Sequence, residues 1–145
     1  MDRVRDTLLP APYHQVVFTL PEQLRPLAAA RPRAVYQVLS KAVRQTLTSV
    51  AADPRHPGGT MGLLMVLHTW TQELELHPHI HVVVPASGLS LDRQRWIAGD
   101  DKWFLPVEVL GQVFRRIFLE QLTKVCVSGG LRLYGPLAAL NSSSG

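Results

Sequence analysis

Apolar positions recur along this chain with two different periods, and each change of period marks an element. Tyr13 to Leu20 is rich in β-branched and aromatic residues and is bounded by Pro12 and Pro21, which cannot continue a ladder, so it reads as a strand. Pro21 to Leu24 suits a short helical turn with proline at its first position. From Pro32 to about Val50 the period becomes helical. Val35, Val38, Leu39, Ala42, Val43, Leu47 and Val50 form one stripe, and Arg33, Gln37, Lys41, Arg44 and Thr48 fall on the opposite side. The turn cluster from Asp53 to Gly59 stops that helix. Met61 to Gln72 then reads as a buried strand, Glu73 to Pro78 as a connection, and His79 to Val84 as a second strand, which together suggest an antiparallel hairpin. Pro85 to Gly88 breaks the chain before a short strand at Gln94 to Ala98. A second amphipathic helix runs from Pro106 to about Val125, with Leu110, Phe114, Ile117, Phe118 and Leu122 on its apolar face.

This order predicts an α+β domain: an antiparallel β-sheet covered on one face by two amphipathic helices, with the other face free. A length of 145 residues fits one domain, expected over residues 1–140, with the polar 141–145 as a frayed tail. A single cysteine, Cys126, excludes both a disulfide framework and a cysteine-rich zinc site; it reads as a small buried apolar residue in a reducing compartment. The N-terminus has no signal-peptide pattern and no apolar run approaches a spanning length, so a cytoplasmic location without membrane contact is expected.

Charge adds an asymmetry. The net formal charge is +4, and between Arg31 and Arg55 five basic residues (Arg31, Arg33, Lys41, Arg44, Arg55) face one acid, Asp53. A solvated face explains such a stretch as readily as a polyanion does. If it meets phosphates, Arg33, Lys41 and Arg44 on the first long helix are the contacts.

The candidate chemistry lies in the second strand of the hairpin. Four of the six histidines fall between His68 and His81, and the run His77-Pro78-His79-Ile80-His81 puts two imidazoles at i and i+2. Such residues point to one face of a strand, so His79 and His81 can share a metal ion while Ile80, Val82 and Val84 enter the core. A third ligand is expected from the neighbouring strand. With the connection centred between Leu74 and Glu75, His68 faces His81; Gln72 has the same parity and is the alternative, and Glu73 or Glu75 could complete the set. A lone strand histidine is ordinarily a satisfied core or surface residue; His14, His56 and His77 are read as surface or turn residues, although His77 could lie near the site. The His-x-His pair opposite a third histidine is read as a site for a divalent metal; spacing alone does not choose among the ions imidazoles suit, and Mg²⁺ or Mn²⁺ is the overall expectation. Trp70 is expected to bury its ring. The absence of a glutamate beside the pair argues against a metalloprotease, and a phosphodiester substrate is preferred.

The motifs Val17-Phe18-Thr19-Leu20-Pro21, Val66-Leu67-His68-Thr69-Trp70, His77 to Pro85 and Gly88-Leu89-Ser90, in that order, resemble the two-tyrosine, rolling-circle insertion-sequence transposases of the HUH (His-hydrophobic-His) superfamily. The similarity runs from about Leu9 to about Leu140, and Phe104-Leu105-Pro106 leading into Phe114 to Leu119 also matches. The resemblance implies transposition by metal-dependent nicking and strand transfer of single-stranded DNA through a phosphotyrosine. It also implies that Thr19, in the first motif, lies on a central strand beside the histidines and near the DNA. The sequence departs from the family pattern at three points: Ser87 stands where glycine is usual, the cysteine-rich module is absent, and no Tyr-x-x-x-Tyr motif occurs. Tyr13, Tyr36 and Tyr134 fit no such motif, so none is assigned as nucleophile and the chain alone is expected not to cleave. Two other readings stay open: a non-catalytic, metal-stabilised nucleic-acid-binding module, and a small zinc-dependent hydrolase.

Overall fold

The computed structural model describes residues 13–53, 59–60, 62–71, 73–85, 87–98 and 107–129. The expected tail, 141–145, lies outside them. In chain order come β1 (Tyr13–Thr19), a 3₁₀ turn (Glu22–Leu24), α1 (Arg25–Ala30), α2 (Pro32–Ala52), β2 (Gly59–Thr60), β3 (Leu64–Trp70), β4 (Leu76–Pro85), β5 (Ser87–Ser90), β6 (Trp96–Ala98) and α3 (Val107–Val127). The α+β class holds, and so do both long helices. The strands form two antiparallel three-stranded sheets rather than one, ordered β1-β4-β3 and β2-β5-β6.

Alternation along β4 builds the first sheet. Pro78, Ile80, Val82 and Val84 are buried, while His77, His79, His81 and Val83 are only half-buried. The buried set meets Phe18 of β1, the stripe Val35, Val38, Leu39, Ala42, Val43, Leu47 and Val50 of α2, and Leu110, Ile117, Phe118 and Leu122 of α3. Phe114 joins the layers, with its ring 5.0 Å from Phe18 and 5.6 Å from Phe118. The buried hydroxyl of Thr46 is satisfied by donating to Ala42 O at 2.7 Å. Cys126 is buried, and burial pushes its thiol pKa up, which fits the inert role expected of it.

Three expectations are corrected. β3 is not a buried strand; it is an edge strand, and Val66 is 45% exposed because its side lies on the uncovered face. β1, carrying Thr19, is the other edge among the described residues, and the central strand is β4. Trp70 does not bury its ring: it is 59% exposed. A strand the sequence did not reveal also follows Pro85: β5 begins at Ser87, in the second sheet, and turns into β6. That turn is held by Ser90, whose Oγ donates to Asp92 Oδ1 at 2.5 Å and accepts from Arg95 N–H at 3.0 Å. The hydrogen bonds from Ser90 and Gln94 hold the exposed Asp92 carboxyl below its ordinary pKa.

The β3–β4 register decides which face each histidine takes. Thr71 N–H donates to Glu75 O at 2.9 Å and Leu74 N–H to Thr71 O at 3.0 Å, with Leu74 in the left-handed region at φ 62°. This is the chemistry of a three-residue hairpin loop, tighter than a connection from Glu73 to Pro78. Trp70 consequently pairs with Leu76, but His68 pairs with His79, so β4 carries one extra residue between these pairs. The extra residue falls at His77-Pro78, where proline has no N–H to give the ladder and a bulge is tolerated. A slip of one residue turns a strand's side chains to the other face. Continuing the turn's register would set His68 against Pro78, on the helix side. The bulge sets it against His79 instead, on the open side.

Among the described residues no helix is long and apolar enough to cross a membrane.

Candidate metal centre

The open face of the β1-β4-β3 sheet gathers three imidazoles. The potential ligand atoms of His68, His79 and His81 all lie within 4.8 Å of one another. Ring centroids are separated by 4.5 Å for His68–His81, 5.0 Å for His79–His81 and 5.2 Å for His68–His79. An ion binding nitrogen at about 2.0–2.1 Å needs its donors roughly 3–3.5 Å apart, so modest ring rotations close this set. The cross-strand partner of His68 is His79, not the expected His81, which faces Val66. The face is unchanged because the two registers differ by an even number of residues.

Hydrogen bonds leave Nε2 of His79 free to coordinate. His79 Nδ1 donates to the backbone oxygen of His77 at 2.6 Å, which fixes the proton on Nδ1 and bares Nε2. His77 in turn accepts at its Nδ1 from Arg25 Nη2 at 2.6 Å, and its ring lies 5.4 Å from that of His79. His77, read as a surface or turn residue that could lie near the site, is half-buried beside His79. The buried Nε of Arg25 has no hydrogen-bond partner among the described residues.

Gln15 plays the corresponding part for His81, its amide nitrogen lying 3.3 Å from His81 Nδ1. With the amide nitrogen donating, the proton of His81 sits on Nε2. A half-turn of the amide brings Oε1 to the same place, where it accepts from Nδ1–H and bares Nε2 as for His79. Sequence reasoning passed over Gln15, although the alternation Gln15, Val17, Thr19 on one side of β1 was there to be read. The pKa of His81 is lowered from 6.5, first by burial and then by the charges of His68 and His79, which favours the neutral ligand form at neutral pH.

The other expected residues divide into near and far. Thr19 is the cross-strand neighbour of His79 on the same face and is exposed, beside the histidines. Gln72 lies outside the described residues. Glu73 and Glu75 are exposed in the turn, and the cluster contains no carboxylate among the described residues. Arg33, Lys41 and Arg44 do come together, lining with Tyr36 and Met65 a groove of about 700 Å³. That groove is on the helix side, because Met65 pairs with the buried Val82. The basic helix and the imidazoles therefore do not share one exposed face; they lie on opposite sides of the β3 edge. Tyr13 stands four positions along β1 from Val17, the partner of His81, or about 13 Å of strand. Tyr36 lines the basic groove. Neither adjoins the triad, and Tyr134 is outside the described residues.

Comparison with known proteins gives a family and a fold. Residues 62–143 match the Y2_Tnp family profile, described as "Putative transposase". The chain is 48% identical over 137 residues to "Putative transposase y4qJ" of Sinorhizobium fredii (strain NBRC 101917 / NGR234) and 30% identical over 123 residues to the transposase for insertion sequence element IS801 of Pseudomonas savastanoi pv. phaseolicola. These matches take in 94% and 75% of the chain, which spans 34% and 28% of the two proteins' lengths. The fold is that of conjugative relaxase TrwC. A structure of TrwC with a 27-mer DNA comprising the recognition hairpin and the cleavage site superposes with a TM-score of 0.59 at 20% identity, covering 83% of this chain and 46% of that one. A metal-bound structure of TrwC with oriT DNA gives 0.56 at 18% identity over 86% of this chain and 46% of that one. With more than half of its sequence, the histidine strand included, inside the family profile, the chain belongs to the Y2_Tnp transposase family.

Proposed function

We propose that this chain is the metal-binding part of a DNA-nicking and strand-transfer domain for transposition, acting in the cytoplasm on single-stranded DNA. The observation that carries the reading is the convergence of His68, His79 and His81 on the uncovered face of a relaxase-like sheet. These three residues would hold a divalent ion; of Mg²⁺ and Mn²⁺ the nitrogen donors suit Mn²⁺ better, since Mg²⁺ prefers oxygen ligands. The ion would supply Lewis-acid polarisation of a phosphoryl oxygen.

The chain's own residues orient and hold. His77 O keeps the proton of the His79 ring on Nδ1, Gln15 with its amide oxygen turned toward His81 would do the same there, and Thr19 offers a hydroxyl beside His79 for hydrogen bonding to the DNA backbone. Arg33, Lys41 and Arg44, on the helix side of the β3 edge, neutralise phosphates of DNA flanking the strand held at the imidazoles. The chemistry of the family resemblance, attack by a tyrosine and a phosphotyrosyl intermediate, uses no tyrosine of this chain. The nucleophile is expected on a separate helix of the longer transposase.

The test uses Mn²⁺ and a single-stranded oligonucleotide. Calorimetry should show one Mn²⁺ bound, and binding should be lost in His79→Ala and His81→Ala; binding that survives both substitutions overturns the site. The chain alone should form no covalent adduct on a denaturing gel. A longer protein carrying a Tyr-x-x-x-Tyr helix should form one that disappears with His79→Ala. Metal binding with no adduct in the longer protein would favour the non-catalytic binding module instead.

A further inference from the structure

A second groove of about 700 Å³ runs along the seam between α2 and α3, on the side of the molecule away from the imidazoles. Arg44 lines both this groove and the one beside β3. Across the seam α3 presents Arg116 and Lys124, so five cations follow one band: Arg33, Lys41 and Arg44 on α2, then Arg116 and Lys124 on α3. All five are exposed.

Two features separate this band from an ordinary solvated face. Solvated helix faces mix signs and pair them at i, i+4, yet α2 carries no carboxylate over its 21 residues. The carboxylate lining the seam is Glu120, an exposed side chain 3.8 Å from the exposed Arg116. The floor between the helices is also polar. Gln121 is only 7% exposed and donates to Gln45 at 3.1 Å, at a position where two packed helices normally place apolar side chains.

We propose that this band is a second DNA surface and that it takes duplex rather than single-stranded DNA. The inference rests on the transposase reading above, which supplies the polyanion. A single strand offers one row of phosphates; a duplex offers two, facing each other across a groove about 6 or 12 Å wide. Cations on two packed helices, whose axes lie about 8–10 Å apart, form two rows at that scale. The duplex lies behind the sheet, so it and a strand at the imidazoles occupy opposite sides of the domain and are bound without competing.

Fluorescence anisotropy with a 20-base-pair duplex and a 20-nucleotide single strand, in salt from 50 to 200 mM, tests this. Arg116→Ala with Lys124→Ala should weaken duplex binding about tenfold at low salt and lower the slope of log K against log salt by about 1.8, two phosphate contacts at 0.9 each. Single-strand affinity and Mn²⁺ affinity should not change. Arg116→Glu with Lys124→Glu should weaken duplex binding further, and circular dichroism verifies that both variants fold. Three results overturn the proposal: no duplex binding by the unmodified chain at 50 mM salt, an unchanged duplex slope in the variants, or an equal loss for single strand and duplex. Failure of the metal reading is separate, because it shows as lost Mn²⁺ binding with duplex affinity intact.

Discussion

Replacing Ile80 by alanine tests the alternation on which the site depends. Ile80 lies between His79 and His81, is 1% exposed, and packs in the cluster shared by β1, β4 and the helices. The substitution removes three carbons, about 2.4 kcal/mol of transfer free energy at about 0.8 kcal/mol each. A cavity term adds to this, and buried Ile→Ala changes span about 2–5 kcal/mol. A cost of about 3 kcal/mol in a domain of this size corresponds to a fall in Tm of about 6–12 °C. Val66→Ala, at a position 45% exposed on the opposite face, removes two carbons and should cost less than about 1 kcal/mol. Denaturant melts of both variants, with and without Mn²⁺ at a hundred times its Kd, complete the assay. Binding at that excess adds about 2.7 kcal/mol to a chain with an intact site. That increment should persist within about 0.5 kcal/mol in Ile80→Ala and vanish in His79→Ala. A larger cost for Val66→Ala than for Ile80→Ala would mean that the histidines face the core, and the reasoning would fail.

Three further outcomes follow from the same geometry. His68→Ala should lower Mn²⁺ affinity by at least about 100-fold, beyond the 10–100-fold typical of an outer partner, measured by calorimetry. Gln15→Leu should lower it about tenfold while Gln15→Glu retains it; ¹⁵N imidazole spectra should show His81 leaving the Nδ1–H form only in the leucine variant, and an unchanged spectrum would remove Gln15 from the site. The pKa of His81 is depressed below its unfolded value of 6.5, so the unfolded chain binds more protons as pH falls through that window. Stability of the metal-free chain should be full above about pH 6.5 and decline below it, and Mn²⁺ should be released over the same range; a Tm that rises from pH 7 to pH 5 would contradict the sign.

Most of the core was legible because its signals are local. The α2 stripe from Val35 to Val50 and the outward placement of His79 and His81 follow from periods of 3.6 and 2, and they came out as expected. α1, β2 and β5 were missed because each is short: a proline at the second position of α1, a two-residue bridge at Gly59, and a four-residue strand at Ser87–Ser90 leave no period to read. The exposure of Leu64, Val66 and Trp70 was also hidden. An apolar run reads the same whether its strand is central or at an edge, and only the pairing order distinguishes the two.

The third histidine shows where local signals stop. From sequence, His68 reached the correct face through a hairpin centred too far along, which paired it with His81. In the structure two displacements replace that one: a tighter turn closed by Thr71 and Leu74, and an extra residue at His77-Pro78. The turn alone would have carried His68 to the helix side. Pro78 restores it, because a residue without an N–H is where the ladder is most easily interrupted. The proline between His77 and His79 thus does more than space the motif. It fixes the parity between β3 and β4, and through that parity it determines whether two imidazoles or three stand on the open face.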